Sequence, residues 1–346
     1  MKMQFTVGMG RNERMGEIES HAQVAEESGF SHVTFVDQPT FNRDTYTMMA
    51  LAARATHRIQ IGHGVTTPAT YSPIITANAT GSIDELSGGR AFVGIGVGGD
   101  ISTGKIRPMQ ELKGAILFIR DFMSGKDAQW NGRSFRSEWL RRAVPVYIGV
   151  RGPKACRLAG ELADGVISMG IHPVITKWRL EHIEKGALEA GRDPSKIDFW
   201  ARCVCYVANS KKEARRESAT IAAQYVNRLF EMFVLRSKDP DVDDLKARLR
   251  REDPKFMDEM ETTGKKIYEL WAPANHEKID TPHGLAITQT LIDKFVLAGP
   301  SDDICEKIEI IGKLGVQTVS AVTYTIVDKK DYMRRISDKI MPRFRN

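Results

Sequence analysis

The sequence predicts a (β/α)8 barrel with a helical insertion between its seventh and eighth strands. Three observations lead there. Eight short β-branched or apolar runs recur along 346 residues, and most are followed by an amphipathic stretch with helical spacing. The run Val144-Pro145-Val146-Tyr147-Ile148-Gly149-Val150 is continuously uncharged, as a parallel strand covered on both faces is. Between the seventh and eighth runs the chain is far longer than a single helical crossover requires. An open doubly wound sheet shares the alternation, but eight units favour closure.

Phe5–Met9 is the first expected strand. Ile18, Ala22 and Ala25 then share one face of a helix over Gly16–Ser28 that stops at Gly29. His32–Asp37 alternates as a strand and precedes a helix over Asp44–Thr56; Ile59–Val65 and a helix over Pro73–Leu86 form the third unit. Ala91–Val97 and a helix over Pro108–Met123 form the fourth. The polar excursion from Ser124 to Val144 holds Asn131-Gly132, a turn signal for a loop or small hairpin. Pro145–Val150, with a helix over Pro153–Leu162 opened by proline, is the fifth unit. Gly165–Met169 and a helix over His172–Ala190 are the sixth. Asp198–Ala208 reads as one long seventh strand, and Thr318–Thr325 with a helix over Lys329–Met341 closes the chain. Within the insertion, Ile221–Leu235, Asp243–Leu270, Leu285–Leu297 and Ser301–Leu314 read as helices, with a polar break over Trp271–Thr281. The expected organisation is a single domain over 1–346, with the insertion at about 225–285 covering the catalytic face.

Composition excludes several classes. Hydrophobic residues at 42% and charged residues at 27% are globular values, against disorder or a fibre. Fifty basic side chains against forty-four acidic ones give +6, but the signs are interleaved. The densest stretches, Lys211–Arg216 and Lys246–Arg251, read as solvated helix faces, so nucleic acid is not an expected partner. No apolar run reaches membrane-spanning length, and the start is too short in apolar residues for a signal peptide. Four cysteines without ligand spacing, and eight histidines without a His-x-x-x-His pair, point to a cytoplasmic protein with reduced thiols and no metal.

In a barrel, chemistry gathers where strands end. Val36-Asp37-Gln38, Gly64-Val65-Thr66-Thr67, Gly94-Ile95-Gly96-Val97-Gly98-Gly99-Asp100, Val150-Arg151-Gly152-Pro153-Lys154 and Met169-Gly170-Ile171-His172 occupy those places. At the fifth end, free N–H groups at a helix start lie beside Arg151 and Lys154, a natural phosphate site. Gly94, Gly96 and Gly99 fit Gly-x-Gly-x-x-Gly, yet no helix follows at once, which argues against a Rossmann site. His63 inside a strand reads as a packed histidine. Asp37 and His172, at loop entrances, are better placed to move protons.

Several strings together resemble the bacterial luciferase-like superfamily: Asp37-Gln38 to Asp44, Gly64-Val65-Thr66-Thr67-Pro68, Asp84-Glu85-Leu86-Ser87-Gly88-Gly89-Arg90, Gly94-Ile95-Gly96 and Gly152-Pro153-Lys154 to Val166. Within it the chain is similar to the methylenetetrahydromethanopterin reductases, which use the deazaflavin coenzyme F420. The resemblance runs nearly end to end and is weakest across Leu229–Thr281. It implies a flavin or deazaflavin over the strand ends and a non-proline cis peptide, by position Gly64–Val65, bulging against the ring. It further implies that Val150, Arg151, Gly152 and Lys154 meet the phosphate-bearing tail, that Gly96, Gly98 and Asp100 line the coenzyme side, and that Thr66 and Met169 flank it. Asp37, Asp100 or His172 would manage a proton. The expected activity is hydride transfer between coenzyme F420 and a small organic substrate, by a homo-oligomer. An FMN-dependent monooxygenase fed by a partner flavin reductase, or a non-catalytic flavin-binding protein, are the alternatives. Three departures stand out: Gln38 where many deazaflavin members have His, Gly8 where archaeal reductases carry a first-strand carboxylate, and one extra glycine in Gly98-Gly99.

Overall fold

The computed structural model describes residues 1–10, 13–98, 107–235, 238–272 and 278–345. In chain order the first strands and helices are β1 (Gln4–Met9), α1 (Ile18–Glu27), β2 (His32–Phe35), α2 (Thr45–Ala55), β3 (Gln60–His63), α3 (Pro73–Ser87), β4 (Ala91–Ile95) and α4 (Met109–Met123). A hairpin of β5 (Ala128–Trp130) and β6 (Arg133–Phe135) follows, its turn made by Asn131 and Gly132 at φ 49° and 72°. Next come β7 (Val146–Val150), α5 (Pro153–Leu162), β8 (Gly165–Met169), α6 (Pro173–Glu189) and β9 (Asp198–Cys203).

With the last strand, β12 (Thr318–Val322), eight of these strands close a parallel barrel in the order β1-β12-β9-β8-β7-β4-β3-β2. Closure is made by β1 on β12, from Gln4 opposite Thr318 to Gly8 opposite Val322. Inside, Phe92, Tyr147, Ile167 and Trp200 form a separate apolar cluster, with the His32 ring edge-on to Trp200 at 4.8 Å. Burial pushes His32 down to about 4, so it sits there neutral at pH 7. The outer core lies between strands and helices, and it extends without a break from Met3 to Phe344.

Two charged groups hold the barrel together. Arg90 is buried and donates to the carbonyls of Ala53, Thr56, Ile59 and Ser87 at 2.7–3.0 Å, satisfying the end of α2. The quoted string ending at Arg90 is therefore a structural device. Near the other seam, buried Glu13 meets His21 Nδ1 and Lys329 Nζ, each at 2.8 Å. Burial pushes the Glu13 carboxyl up, but His21 and Lys329 outweigh it and hold it below the usual range.

The excursion after β9 departs from expectation in five places. The long seventh strand splits: β9 ends at Cys203, and β10 (Cys205–Val207) leaves the barrel to pair with β11 (Leu297–Gly299) in a parallel ribbon. Alternation reads alike on both sides of the break, so the change of partner is invisible in the pattern. Between the ribbon strands lie α7 (Lys211–Leu235), α8 (Pro240–Glu252), α9 (Pro254–Glu269), α10 (Pro282–Ala286) and α11 (Gln289–Phe295). The expected helix Ile221–Leu235 thus starts ten residues earlier, at Lys211. The expected helix Asp243–Leu270 is two, because Pro254 lacks an N–H and opens α9, with Asp253 accepting from Phe256 N at 3.3 Å. The expected helix Leu285–Leu297 is broken at Thr288, which caps α11, and Leu297 belongs to β11. Helices α7 and α10 run across the expected insertion limits at 225 and 285. From β11 the chain returns through α12 (Ser301–Lys313) to β12 and ends with α13 (Lys329–Lys339). Among the described residues no helix is long and apolar enough to cross a membrane.

Candidate active site

The barrel mouth has a floor of backbone. The Gly64–Val65 peptide is cis, and the Val65 side chain packs down onto the Phe92–Tyr147–Ile167–Trp200 cluster. A Cβ on Gly96 would meet Val65 Cγ2 at 3.2 Å, so Gly96 is the residue that lets Val65 lie inward. After the cis bond, Thr66 is clamped to β4: its N–H donates to Gly94 O at 2.8 Å, and its carbonyl accepts from Gly96 N at 2.9 Å. Gly98 (φ 61°) backs this loop, and a Cβ there would lie 2.2 Å from Thr67 Oγ1. Its glycine is accounted for by a turn and a close contact.

Asp37 stands beside this floor. It is buried, and Thr66 Oγ1 donates to its Oδ2 at 2.5 Å. Burial pushes the carboxyl up to about 6, the Thr66 hydroxyl opposes this and Asp44 adds to it. His63 is fully buried against Tyr46, with ring centroids 5.1 Å apart and, among the described residues, no hydrogen-bond partner for either nitrogen. Burial pushes it down to about 3. It is a packed neutral ring, as its place in a strand suggests.

A second group gathers where β7 and β8 end. Val150 and Gly152 are buried and Arg151 is exposed, while α5 starts at Pro153 with no side chain capping its N–H groups. Lys154 is exposed in the first turn and makes no ion pair among the described residues. Arg179 of α6 reaches back, fully covered, to donate to Ser168 Oγ at 2.8 Å and Met169 O at 2.7 Å. Arg228 of α7 holds Glu231 with both carboxylate oxygens at 2.9–3.0 Å, and Arg151 approaches the same Glu231 at 3.7 Å. Arg151, Met169, Arg179, Tyr225, Arg228 and Leu229 line a small cavity between the strand ends and the insertion. Among the described residues the guanidiniums of Arg151, Arg179 and Arg228 gather here around Glu231, a rim rich in donors suited to an anion.

A third group lies across the mouth. Arg202, at the end of β9, is buried and points over β1 and β12 toward β2 and β3. Its Nη2 donates to Tyr324 Oη at 2.6 Å and its Nη1 to Thr34 Oγ1 at 3.3 Å.

Two expected proton carriers fare differently from Asp37. His172 is not brought to the Asp37–Thr66 pair. It is buried at the start of α6, its Nε2 3.3 Å from Asp253 Oδ2 and its ring 4.4 Å from that of Phe256. Burial lowers its pKa despite Asp253, so the structure makes it a neutral packing group beneath the insertion. Asp100 lies outside the described residues. Arg179, Arg202 and Arg228 escaped sequence reasoning. The usable signal was a single charge in the otherwise uncharged run Phe199-Trp200-Ala201-Arg202-Cys203-Val204, since charges are seldom buried without purpose.

A closed parallel barrel whose mouth combines a cis-peptide floor with an anion-receptive helix start is an enzyme scaffold of the (β/α)8 class. The chain belongs to the luciferase-like monooxygenase family, whose profile matches residues 2–318. It is 29% identical over 353 residues to the 5,10-methylenetetrahydromethanopterin reductase of Archaeoglobus fulgidus, covering 99% of this chain and 100% of that protein. It is 31% identical over 224 residues to the F420-dependent hydroxymycolic acid dehydrogenase of Mycobacterium tuberculosis, covering 58% of this chain and 62% of that one. The fold matches the coenzyme F420-dependent tetrahydromethanopterin reductase from Methanopyrus kandleri with a TM-score of 0.76 at 23% identity, over 99% of this chain and 100% of that one.

Proposed function

We propose that this protein is an oxidoreductase that transfers hydride between coenzyme F420 and a small organic substrate. The observation that carries the reading is the helix start of α5, without a side-chain cap and flanked by cations, beside a glycine-lined mouth set over an aromatic layer. The residues fit the coenzyme: glycines keep the mouth low enough for a flat ring, and the α5 start offers N–H donors to a phosphate.

Gly64, Val65, Thr66, Gly96 and Gly98 would support the ring, and Val150, Arg151, Gly152 and Lys154 would take the phosphate-bearing tail, with Met169 between. When bound, the coenzyme supplies hydride chemistry at its C5 position. The chain's own contribution is orientation, exclusion of water by the insertion, and a proton held at Asp37 Oδ2 or Oδ1 near pH 6. Residues 1–346 act in this reading as one domain, supported by the unbroken core from Met3 to Phe344. Exposed Ile75, Leu86 and Trp139 favour a homo-oligomer, and four buried unpaired cysteines suit the cytoplasm.

Fluorescence titration of the protein with F420, FMN and FAD, then anaerobic reduction and a substrate panel, tests this. Saturable F420 binding and substrate-dependent reoxidation are expected. Binding of FMN alone would replace the reading with a monooxygenase served by a separate flavin reductase, and binding without any turnover with a non-catalytic flavin carrier.

A further inference from the structure

Arg202 is a buried cation held by hydroxyl groups. Its guanidinium is buried, and among the described residues no carboxylate lies within ion-pair distance of it; its partners are the Thr34 and Tyr324 hydroxyls and the Tyr324 ring, 5.7 Å away. Buried Arg90 has four carbonyl acceptors across its donors, whereas buried Arg202 has two hydroxyls and a ring, so part of its desolvation is left uncompensated and a ligand of opposite sign would complete it. The glycines beside it make room for the guanidinium itself. A Cβ on Gly8 would lie 2.6 Å from Arg202 Nη2, and a Cβ on Gly64 2.9 Å from Nη1. Position 8 therefore supplies neither a counter-ion nor bulk, and the guanidinium reaches the cis-peptide floor. Each terminal nitrogen carries two N–H groups and spends one on a hydroxyl, which leaves donors for a planar oxyanion.

We infer that Arg202 is the residue that sets substrate specificity, and that it takes a carboxylate of the substrate beside the Gly64–Val65 floor. The inference rests on the oxidoreductase reading for its location and deepens it: the substrates are small organic acids. Thr34 and Tyr324 fix the guanidinium, and Gly8 leaves it unneutralised. A neutral analogue would leave the buried charge unmatched, which is a stronger discrimination than shape alone supplies.

The test is calorimetric titration of the coenzyme-free protein, at fixed ionic strength, with acetate, propionate and benzoate and with their amides. At least one acid is expected to bind tenfold or more tightly than its amide. Arg202→Met should abolish that preference, and Arg202→Lys should restore part of it. Gly8→Asp, which places a carboxylate against the flexible end of Arg202, should abolish it with Arg202 still present, so the result does not depend on the folding of one variant. Equal binding of acids and amides to the unaltered protein, or a preference that survives both Arg202→Met and Gly8→Asp, overturns the inference. Parallel F420 titration separates the two readings. F420 affinity unchanged within threefold in Arg202→Met supports a substrate role, whereas its loss would assign Arg202 to the coenzyme and overturn the inference. An acid preference in a protein that binds no F420 would sustain the anion site while removing the proposed function.

Discussion

The Thr66 hydroxyl donates to Asp37 Oδ2 at 2.5 Å, tying the end of β2 to the residue that follows the cis Gly64–Val65 bond. Among the described residues, a titratable group poised near neutrality at the barrel mouth is thereby fixed to the floor on which a planar ligand would rest.

Asp37→Asn is expected to lower turnover tenfold or more with little change in coenzyme affinity. Where the protonated acid is needed, wild-type rates should fall as pH rises through about 6, and the variant's should stay flat. Stability carries the same sign. The folded carboxyl keeps its proton up to about 6, whereas the unfolded one loses it near 4, so folding stability drops across that interval as pH rises. The Asn variant lacks the drop and should gain roughly 1–3 kcal/mol at pH 7 in urea titrations. An unaltered pH–rate profile would remove Asp37 from the mechanism.

Gly152→Asp puts a carboxylate at the N-cap of α5, where it would itself take the N–H groups and the Arg151 charge that a phosphate would use. F420 affinity should fall about tenfold or more by like-charge repulsion, with the melting temperature nearly unchanged. Wild-type affinity in a fluorescence titration would place the phosphate elsewhere.

Glu13 and Lys329 form a buried pair at 2.8 Å across the seam between the first and last strand units. Glu13→Gln should destabilise by roughly 3–5 kcal/mol because buried Lys329 loses its counter-ion, and Lys329→Met by less because His21 still meets Glu13. The double variant should recover most of that loss. Chemical denaturation of the four proteins gives the coupling directly.

His63→Leu should be neutral or stabilising by about 1–2 kcal/mol at pH 7, since it removes two buried nitrogens that have no partner among the described residues. Its folded pKa, about 3, lies below the unfolded value near 6.5, so wild-type stability falls as pH drops below that value. The variant should lose part of this acid sensitivity, visible as a shallower decline between pH 6.5 and 4.

Local chemistry was legible wherever it determines local geometry. Pro153 opens α5 at the expected residue, Asn131-Gly132 makes the expected turn, and Gly165–Met169 is the expected strand. The resemblance supplied Gly64–Val65, which composition and spacing do not reveal. Partner choice was hidden: Cys205–Val207 continues the alternation of β9 and yet pairs with residues ninety positions away. Burial by distant segments was hidden as well. His172 stands at a strand end like any proton carrier, but Asp253 and Phe256 of the insertion cover it. Arg202 is the converse case, a charge that pattern assigns to no surface and that packing brings to the centre.

The ribbon of β10 and β11 has a consequence for how this chain can diverge. It brings the two ends of a long helical excursion side by side at the rim, so the barrel meets only a short bridge whatever lies beyond it. Lengthening such a loop adds little closure entropy. New helices can therefore be exchanged above the mouth, and new substrates admitted, while the eight strands and the floor at their ends keep their register.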